Sequence, residues 1–119
     1  MDDKNIKLSP WNLNNKLLTL DDIYNIYEKA GFTNALNIIK INDINLYQTA
    51  FIHTSYTKNN CENDFKNKPR NVIDLFDEDY ENMEFLGDRC LDLSIAFYLH
   101  RMYPTMGQGF KTKMKTKLV

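Results

Sequence analysis

Residues 80–103 read Y-E-N-M-E-F-L-G-D-R-C-L-D-L-S-I-A-F-Y-L-H-R-M-Y and contain no proline. The run is rich in apolar residues, and Pro104 follows it as a stop signal for a helix. This pattern predicts one long helix over Glu81–Met102 that is apolar on most of its faces. Because a helix that is apolar nearly all round is usually buried, we expect it to lie in the interior of the fold.

One face of this predicted helix is acidic. With 3.6 residues per turn, a single narrow stripe contains Glu81, Glu84, Asp88 and Asp92. Like charges one turn apart destabilise a helix, and burying them without partners costs more. This destabilisation would be offset by basic partners, by raised carboxyl pKa values or by bound divalent cations. A solvated acidic stripe on a half-buried helix is the simpler alternative, and the charge pattern alone leaves both open.

The string E-N-M-E-F-L-G-D, residues 81–88, resembles the signature E-x-x-E-F-L-G-D of the ribonuclease III family. H-T-S-Y, residues 53–56, is similar to the H-x-S-Y segment that precedes this signature in the family. The segments M-Y-P, G-Q-G-F and K-M-K-T-K-L-V, within residues 102–119, resemble the run that follows it. The three blocks stand in the family order and span about residues 20–119. The resemblance implies an all-α, dimeric endonuclease domain that cleaves double-stranded RNA with Mg²⁺, or with Mn²⁺.

The same resemblance implies which residues form the site. Glu84 and Asp88 match the catalytic acids that bind metal, and Glu81 matches a further acid that supports them. Phosphodiester hydrolysis by two divalent ions about 4 Å apart needs clustered carboxylates. Residues four apart on a helix have Cβ atoms about 6 Å apart and can share an ion. Asp92 is not assigned by the resemblance and is interpreted as an ion-pair or dimer residue.

The sequence departs from the family pattern in two places. The family has a second acidic pair, D-x-x-E, on a later helix, but no acid follows Asp92 here. We therefore expect a domain that is incomplete at its C-terminus, a portion of a longer enzyme, and inactive as 119 residues alone. Gln108 stands where the family usually has Glu, which weakens an ancillary metal contact. A non-catalytic ribonuclease III-like dimer that binds RNA or acts as a scaffold is the alternative function.

Two kinds of partner are predicted. The resemblance implies a homodimer through the signature helix, with Phe85 and Leu86 at the interface, and the apolar faces of that helix fit this independently. Beyond Asp92 the chain has bases and no acid, which is typical of a phosphate-binding surface. The predicted RNA contacts are Lys111, Lys113 and Lys115. A basic helix face in solvent is the alternative for these lysines.

The remaining elements follow from local signals. Residues 1–18 are predicted to form a flexible arm, unless Trp11 pins it to the surface, and residues 19–119 form the domain. Thr19 and Asp22 predict a capped helix that Gly31 ends. Residues 32–41 predict a short helix or turn, and a third helix follows from residue 43 to residue 51 or 52. Residues 57–71 are interpreted as an inserted loop, and residues 72–76 as one helical turn.

His53 ends the third predicted helix. A histidine in this position is more often structural, with hydrogen bonds to the chain, than catalytic. The resemblance agrees, because the family does not use this histidine as a base.

Composition limits the cellular setting. A chain of 119 residues with 43% hydrophobic residues suits one domain with a core. No apolar run is long enough to span a membrane, and the N-terminus lacks the apolar stretch of a signal peptide. Two cysteines do not make a disulfide framework. We therefore expect an intracellular protein, cytoplasmic or nuclear, with no membrane partner.

Overall fold

Helix α1, Leu20–Lys29, begins at a capping box on Thr19. The computed structural model describes residues 9–61 and 67–118. Thr19 Oγ1 accepts a hydrogen bond from the Asp22 N–H at 3.2 Å, and the Asp22 carboxylate accepts one from the Thr19 N–H at 2.8 Å. This reciprocal pair satisfies two N–H groups that lack partners inside the helix. The helix start predicted at Thr19 is confirmed.

A Schellman motif ends α1. Ala30 is the C-cap residue and Gly31 follows it with a φ of 101°. The Gly31 N–H donates to the Glu28 carbonyl at 3.0 Å, and the Phe32 N–H donates to the Tyr27 carbonyl at 3.1 Å. Because left-handed backbone favours glycine, Gly31 stops the helix as predicted, although the C-cap position belongs to the residue before it.

Two short helices follow: α2, Ala35–Ile38, and α3, Ile44–Thr49. The Asp43 carboxylate accepts a hydrogen bond from the Asn45 N–H at 2.9 Å, so the predicted cap of α3 is confirmed. The predicted end of α3 at residue 51 or 52 is wrong. Past Thr49 the backbone tightens, and the Phe51 N–H donates to the Gln48 carbonyl, three residues back, at 3.0 Å.

The chain divides into two compact units, of which Met1–Glu81 is the first. Its core consists of the buried side chains of Ile23, Ala35, Ile52, Tyr56 and Leu75. Burying one such large side chain stabilises the fold by about 1.5–3 kcal/mol. The Tyr27 and Tyr47 hydroxyl groups, 3.1 Å apart, join α1 to α3 beside this core.

The segment before α4 is extended, so the helical turn predicted for residues 72–76 is wrong. Phe76 forms an isolated parallel bridge with Thr57. The Lys58 N–H donates to the Phe76 carbonyl at 2.9 Å, and the Phe76 N–H donates to the Tyr56 carbonyl at 3.2 Å. Buried backbone groups need partners, and this segment finds them in a segment distant in sequence. The segment nevertheless packs into the core of its unit, because Leu75 is buried.

The predicted inserted loop, residues 57–71, lies partly outside the described residues, at 62–66. Its two ends are held by ion pairs. Lys58 Nζ lies 2.7 Å from the Asp77 carboxylate, and Lys68 pairs with Asp74. Thr57, at the start of the loop, is buried and donates its hydroxyl to the Thr54 carbonyl at 2.8 Å.

The predicted flexible arm includes residues 1–8, which also lie outside the described residues. In residues 9–18, Trp11 packs its ring edge-on against Tyr56, with ring centroids 6.2 Å apart. Gln48 Nε2 donates to the Leu18 carbonyl at 2.8 Å. These contacts match the alternative in which Trp11 pins this part of the arm. Flexibility of the whole arm stays a prediction.

The second unit, Asn82–Val119, contains nearly all of α4, Glu81–Met102, and α5, Gln108–Leu118. The helix predicted from residues 80–103 is confirmed at both ends. Tyr103 packs edge-on against Phe110 with ring centroids 5.2 Å apart, across the turn between the helices. The described residues form helices and turns with one isolated bridge, so the fold is all-α as predicted. No helix in the described part is both long and apolar enough to cross a membrane.

The predicted burial of α4 is wrong for this chain. Of its described side chains only Leu99 is buried. The large apolar side chains on its other faces are exposed, namely Phe85, Leu86, Leu91, Leu93, Phe97, Tyr98 and Met102. The unit contains one other helix, the shorter α5, which can cover only one face of α4.

Candidate active site

Glu84 and Asp88 lie one turn apart on α4, and both side chains are exposed to solvent. Their Cβ atoms are about 6 Å apart by helix geometry, so one cation can contact both carboxylates. Within residues 9–61 and 67–118, no basic side chain forms an ion pair with either acid. Both carboxylates are therefore accessible to a cation from solution.

These acids stand on an open helix face and not in an enclosed cleft. Among residues 9–61 and 67–118, no three His, Cys, Asp or Glu side chains come together as a ready-made metal cage. The exposed positions of Glu81, Glu84 and Asp88 thus match the simpler alternative predicted from the sequence, a solvated acidic stripe. Mg²⁺ keeps several of its waters and is often held by one or two carboxylates together with substrate phosphates. The donor set therefore fits a partly hydrated Mg²⁺ or Mn²⁺ ion.

Glu81 is the first residue of α4. Its N–H donates to the Asp79 carboxylate at 2.9 Å, which caps the start of the helix. Its side chain is exposed and lies on the same stripe, one turn before Glu84. A supporting role for Glu81 stays a prediction.

Gln108 begins α5 and lines a groove of about 310 Å³ with Ala96 and Leu99 of α4. These two residues lie eight and eleven positions beyond Asp88, which is about 12 and 16 Å along a helix. Gln108 is therefore too far away to contact an ion held by Asp88 of the same chain. Gln108, in place of the Glu that is usual in the family, therefore changes the chemistry of this groove and not that of the Glu84–Asp88 pair.

Asp92 continues the acidic stripe but is neutralised by bases. Lys115 Nζ lies 2.8 Å from its carboxylate, and Arg89 Nε lies 3.9 Å away. The hydrogen bond from Lys115 lowers the pKa of Asp92 below its ordinary value, with a smaller contribution from the Arg89 charge. Of the two roles considered for Asp92, the ion pair is confirmed.

The lysines of α5 lie on two faces of the helix. Lys111 and Lys115 are one turn apart, half-buried, and line the groove beside α4. Lys113 and Lys117 are also one turn apart but are exposed. Two residues along a helix correspond to a rotation of about 200°, so the second pair faces away from the first. Of the three predicted RNA contacts, only Lys113 belongs to the outward face, and Lys115 is engaged by Asp92.

The predicted dimer residues are available on the surface of α4. Phe85 is 68% exposed and Leu86 is 64% exposed. The Arg89 guanidinium lies over the Phe85 ring, 5.4 Å from its centroid. A Cβ placed at Gly87 meets no described atom within 4 Å, so no element of the described chain requires this glycine for close approach.

The structural role of His53 is confirmed. Its Nδ1 accepts a hydrogen bond from the Ser55 N–H at 3.2 Å and lies 2.8 Å from the Ser55 hydroxyl. Its ring stacks on Tyr80 with centroids 6.1 Å apart. Tyr80 is further fixed by its N–H, which donates to the Ile52 carbonyl at 3.0 Å. The H-x-S-Y segment thus organises the backbone before α4.

The Asp92–Lys115 pair was not predicted, although the sequence contains a signal for it. Residues 103–107 connect α4 to α5, and a connection this short joins two helices into an antiparallel hairpin. Asp92 lies ten residues before the end of α4, and Lys115 lies seven residues after the start of α5. Asp92 is the last acid of the chain, and the charged residues of α5 are all lysines. An ion pair between Asp92 and a lysine of α5 therefore follows from the hairpin.

Comparison with known proteins identifies relatives named Ribonuclease 3. The chain is 38% identical over 92 residues to Ribonuclease 3 of Bacillus cereus and of Bacillus anthracis, which covers 77% of this chain. It is 32% identical over 81 residues to Ribonuclease 3 of Lactobacillus acidophilus, which covers 68% of this chain. The chain spans about 30% of the length of each of these curated relatives. No family model and no solved structure gives a significant match.

The relatives agree with the three sequence blocks and with the all-helical structure. The identities extend over more than two thirds of this chain, well beyond the eight residues of the signature. The chain is therefore related by sequence to the ribonuclease III family.

Proposed function

We propose that the chain acts in a ribonuclease III-type endonuclease, which hydrolyses phosphodiester bonds of double-stranded RNA. One observation supports this most: Glu84 and Asp88 lie one turn apart and form no ion pair within residues 9–61 and 67–118, in a chain that is 38% identical to a Ribonuclease 3 over 92 residues. The match at the level of the family supports a ribonuclease. Duplex specificity and the two-metal mechanism are part of the proposal.

In this mechanism Glu84 and Asp88 hold Mg²⁺, or Mn²⁺, and Glu81 supports them from the preceding turn. The bound ion supplies charge stabilisation at the phosphate and lowers the pKa of its water. The protein itself contributes by positioning the two metal ligands. Helix α4 holds both carboxylates on one stripe, where their mutual repulsion favours binding of a cation between them.

These acids form only part of a two-metal site. No acid follows Asp92 in the 119 residues, so the further carboxylates that a two-metal site needs are not among the residues after the signature. We therefore propose that these 119 residues alone do not cleave RNA.

The exposed apolar faces of α4 support a homodimer through this helix. Phe85 and Leu86 would be covered by the partner, which removes apolar area from water. Phe85→Ala is then expected to raise the dimer dissociation constant by at least tenfold, since burial of an aromatic side chain contributes about 1.5–3 kcal/mol. Sedimentation velocity of the wild type and the variant measures this.

The RNA surface is proposed to lie on α5. The helix Gln108–Leu118 contains four lysines and no acid, and Lys111, Lys113 and Lys115 were predicted from its sequence. Lysine contacts to phosphate give an affinity that falls with salt and does not depend on base sequence.

A non-catalytic, ribonuclease III-like dimeric module is the second candidate. The described residues contain no group of three metal-binding side chains, which favours it. Such a module would bind RNA or hold a complex together without cleaving.

A chimera separates the two candidates. In it, the chain replaces the segment of Bacillus cereus Ribonuclease 3 with which it aligns. The enzyme proposal expects long duplex RNA to be cut in Mg²⁺ and left intact in EDTA. A folded chimera that binds duplex RNA but does not cut it, beside an active parent protein, would support the non-catalytic module.

A further inference from the structure

The four lysines of α5 differ in their surroundings, although their sequence spacing is uniform. Every second residue from position 111 to position 117 is a lysine, namely Lys111, Lys113, Lys115 and Lys117. Lys115 contacts the Asp92 carboxylate, and its side chain is 40% exposed. Lys113 and Lys117 are exposed and form no ion pair within residues 9–61 and 67–118. One lysine is thus neutralised inside the chain, while two are accessible together on the opposite face.

The Asp92–Lys115 contact is placed where it can fix the distance between the helices. Tyr103 and Phe110 join α4 to α5 at the turn, and Asp92 and Lys115 join them again, eleven residues before Tyr103 and five residues after Phe110. Between these two points lies the groove lined by Ala96, Leu99 and Lys111. The two contacts are about 16 Å apart along α4 and about 8 Å apart along α5, and together they hold α5 at two points.

We propose that Lys115 and Asp92 form a clamp that orients α5, and that Lys113 and Lys117 on the opposite face contact the phosphates of duplex RNA. This inference rests on the proposed function and narrows it. It adds Lys117 to the RNA surface and removes Lys115 from it. Asp92 and Lys115 are positioning residues, because they act through the orientation of the other two lysines.

Charge complementarity identifies the occupant of the outward face. Helix α5 has no acid to compete for Lys113 and Lys117. Residues one turn apart place their charges on one side of the helix, where a polyanion can contact both. Lys115 can offer little to a phosphate, because leaving Asp92 would give up a charge-assisted hydrogen bond.

The first experiment tests the clamp without RNA. The pKa of Asp92 is measured by NMR titration in the wild type, in K115M and in the matched control K113M. The clamp predicts that the pKa of Asp92 rises toward its ordinary value in K115M and stays low in K113M. An Asp92 that titrates alike in all three proteins overturns the inference.

The second experiment measures binding of a long RNA duplex against KCl concentration. Each phosphate contact contributes about 0.9 to the slope of log affinity against log salt, by the value for duplex DNA. We expect K113M and K117M each to reduce the slope by about 0.9. K115M breaks the clamp and should also reduce the slope, because it releases the orientation of α5. The charge swap D92K/K115D rebuilds the ion pair with no base at position 115 and should keep the wild-type slope.

The outcomes separate this inference from the proposed function. If duplex binding depends on salt but D92K/K115D reduces the slope as much as K113M does, the division of the lysines is overturned and the proposed function still stands. A wild-type chain that does not bind duplex RNA overturns the RNA surface and counts against the proposed function as well. Binding to phosphatidylserine vesicles in place of duplex RNA, lost in K113M and K117M, identifies a different anionic partner and also overturns it.

Discussion

Asp88 and Asp92 occupy consecutive turns on one stripe of α4, yet within residues 9–61 and 67–118 only Asp92 is paired with a lysine. The pairing gives the two acids different chemistry. Asp92 already has a cation at 2.8 Å, whereas Asp88 and Glu84 face solvent. The two acids that the family resemblance assigns to a metal site are therefore the ones that remain available to an external ion.

This contrast predicts how the chain binds metal. Glu84→Gln and Asp88→Asn should each weaken Mn²⁺ binding by at least tenfold, because even the loss of a residue that only supports a metal ligand costs about 10–100-fold. Asp92→Asn is the matched control, since it removes a carboxylate from the same stripe. Mn²⁺ titration followed by electron paramagnetic resonance measures the three affinities. Equal weakening by all three substitutions would mean that the stripe attracts cations only through its total charge.

The capping box predicts the cost of losing Thr19. Thr19→Ala removes the acceptor of the Asp22 N–H and should lower the free energy of unfolding by about 1 kcal/mol. Thr33→Ala is the control, because Thr33 is exposed and lies in the turn before α2. Urea unfolding followed by circular dichroism measures both. If the control loses as much stability as Thr19→Ala, the capping box does not stabilise α1.

The same box predicts a dependence on pH. Hydrogen bonds from Thr19 lower the pKa of Asp22 below its ordinary value of 3.8. A carboxyl whose pKa is lower in the folded state stabilises the fold above pH 3.8, and this contribution disappears as the pH falls through the folded-state pKa. Stability should thus fall more steeply below pH 4 in the wild type than in Asp22→Asn, which has no carboxyl at this position. Parallel curves for the two proteins would contradict this.

Two leucines on α4 differ in exposure, so their replacement by alanine should change the free energy of unfolding by different amounts. Leu99 is 2% exposed and Leu93 is 70% exposed. Leu99→Ala should lower the free energy of unfolding by about 2–5 kcal/mol, while Leu93→Ala should change it by less than about 0.5 kcal/mol in dilute protein. Urea unfolding at micromolar concentration measures both. A large loss from Leu93→Ala that disappears on dilution would locate Leu93 in a contact between copies.

Local signals in the sequence predicted the helices well. The absence of proline and the stop at Pro104 set both ends of α4, and Thr19 and Asp43 start the helices that they were predicted to cap. These signals act within one or two turns, so they do not depend on the rest of the fold.

Features that depend on distant residues were predicted poorly. Residues 72–76 resemble a helical turn in composition, but their backbone pairs with Tyr56 and Lys58, which lie across the loop. The burial of α4 was inferred from its own composition, whereas burial depends on which other elements cover a helix. The Asp92–Lys115 pair requires the register of two helices, and that follows only once the turn between them is located.

The candidate site was predicted by resemblance more than by physical pattern. From the sequence alone, the stripe of Glu81, Glu84 and Asp88 was as consistent with a solvated helix face as with a metal site. In the structure the three side chains are exposed, which matches the solvated face. The relatives named Ribonuclease 3 add what the geometry lacks, a family in which the signature belongs to a nuclease.

The central claim is tested most directly by measuring how variants of the chimera with the Bacillus cereus relative cleave duplex RNA. Glu84→Gln and Asp88→Asn are predicted to abolish Mg²⁺-dependent cutting while duplex binding survives, and Asp92→Asn is predicted to keep cutting. Retained cleavage in Glu84→Gln and Asp88→Asn would contradict the assignment of these two carboxylates as the metal ligands of a nuclease.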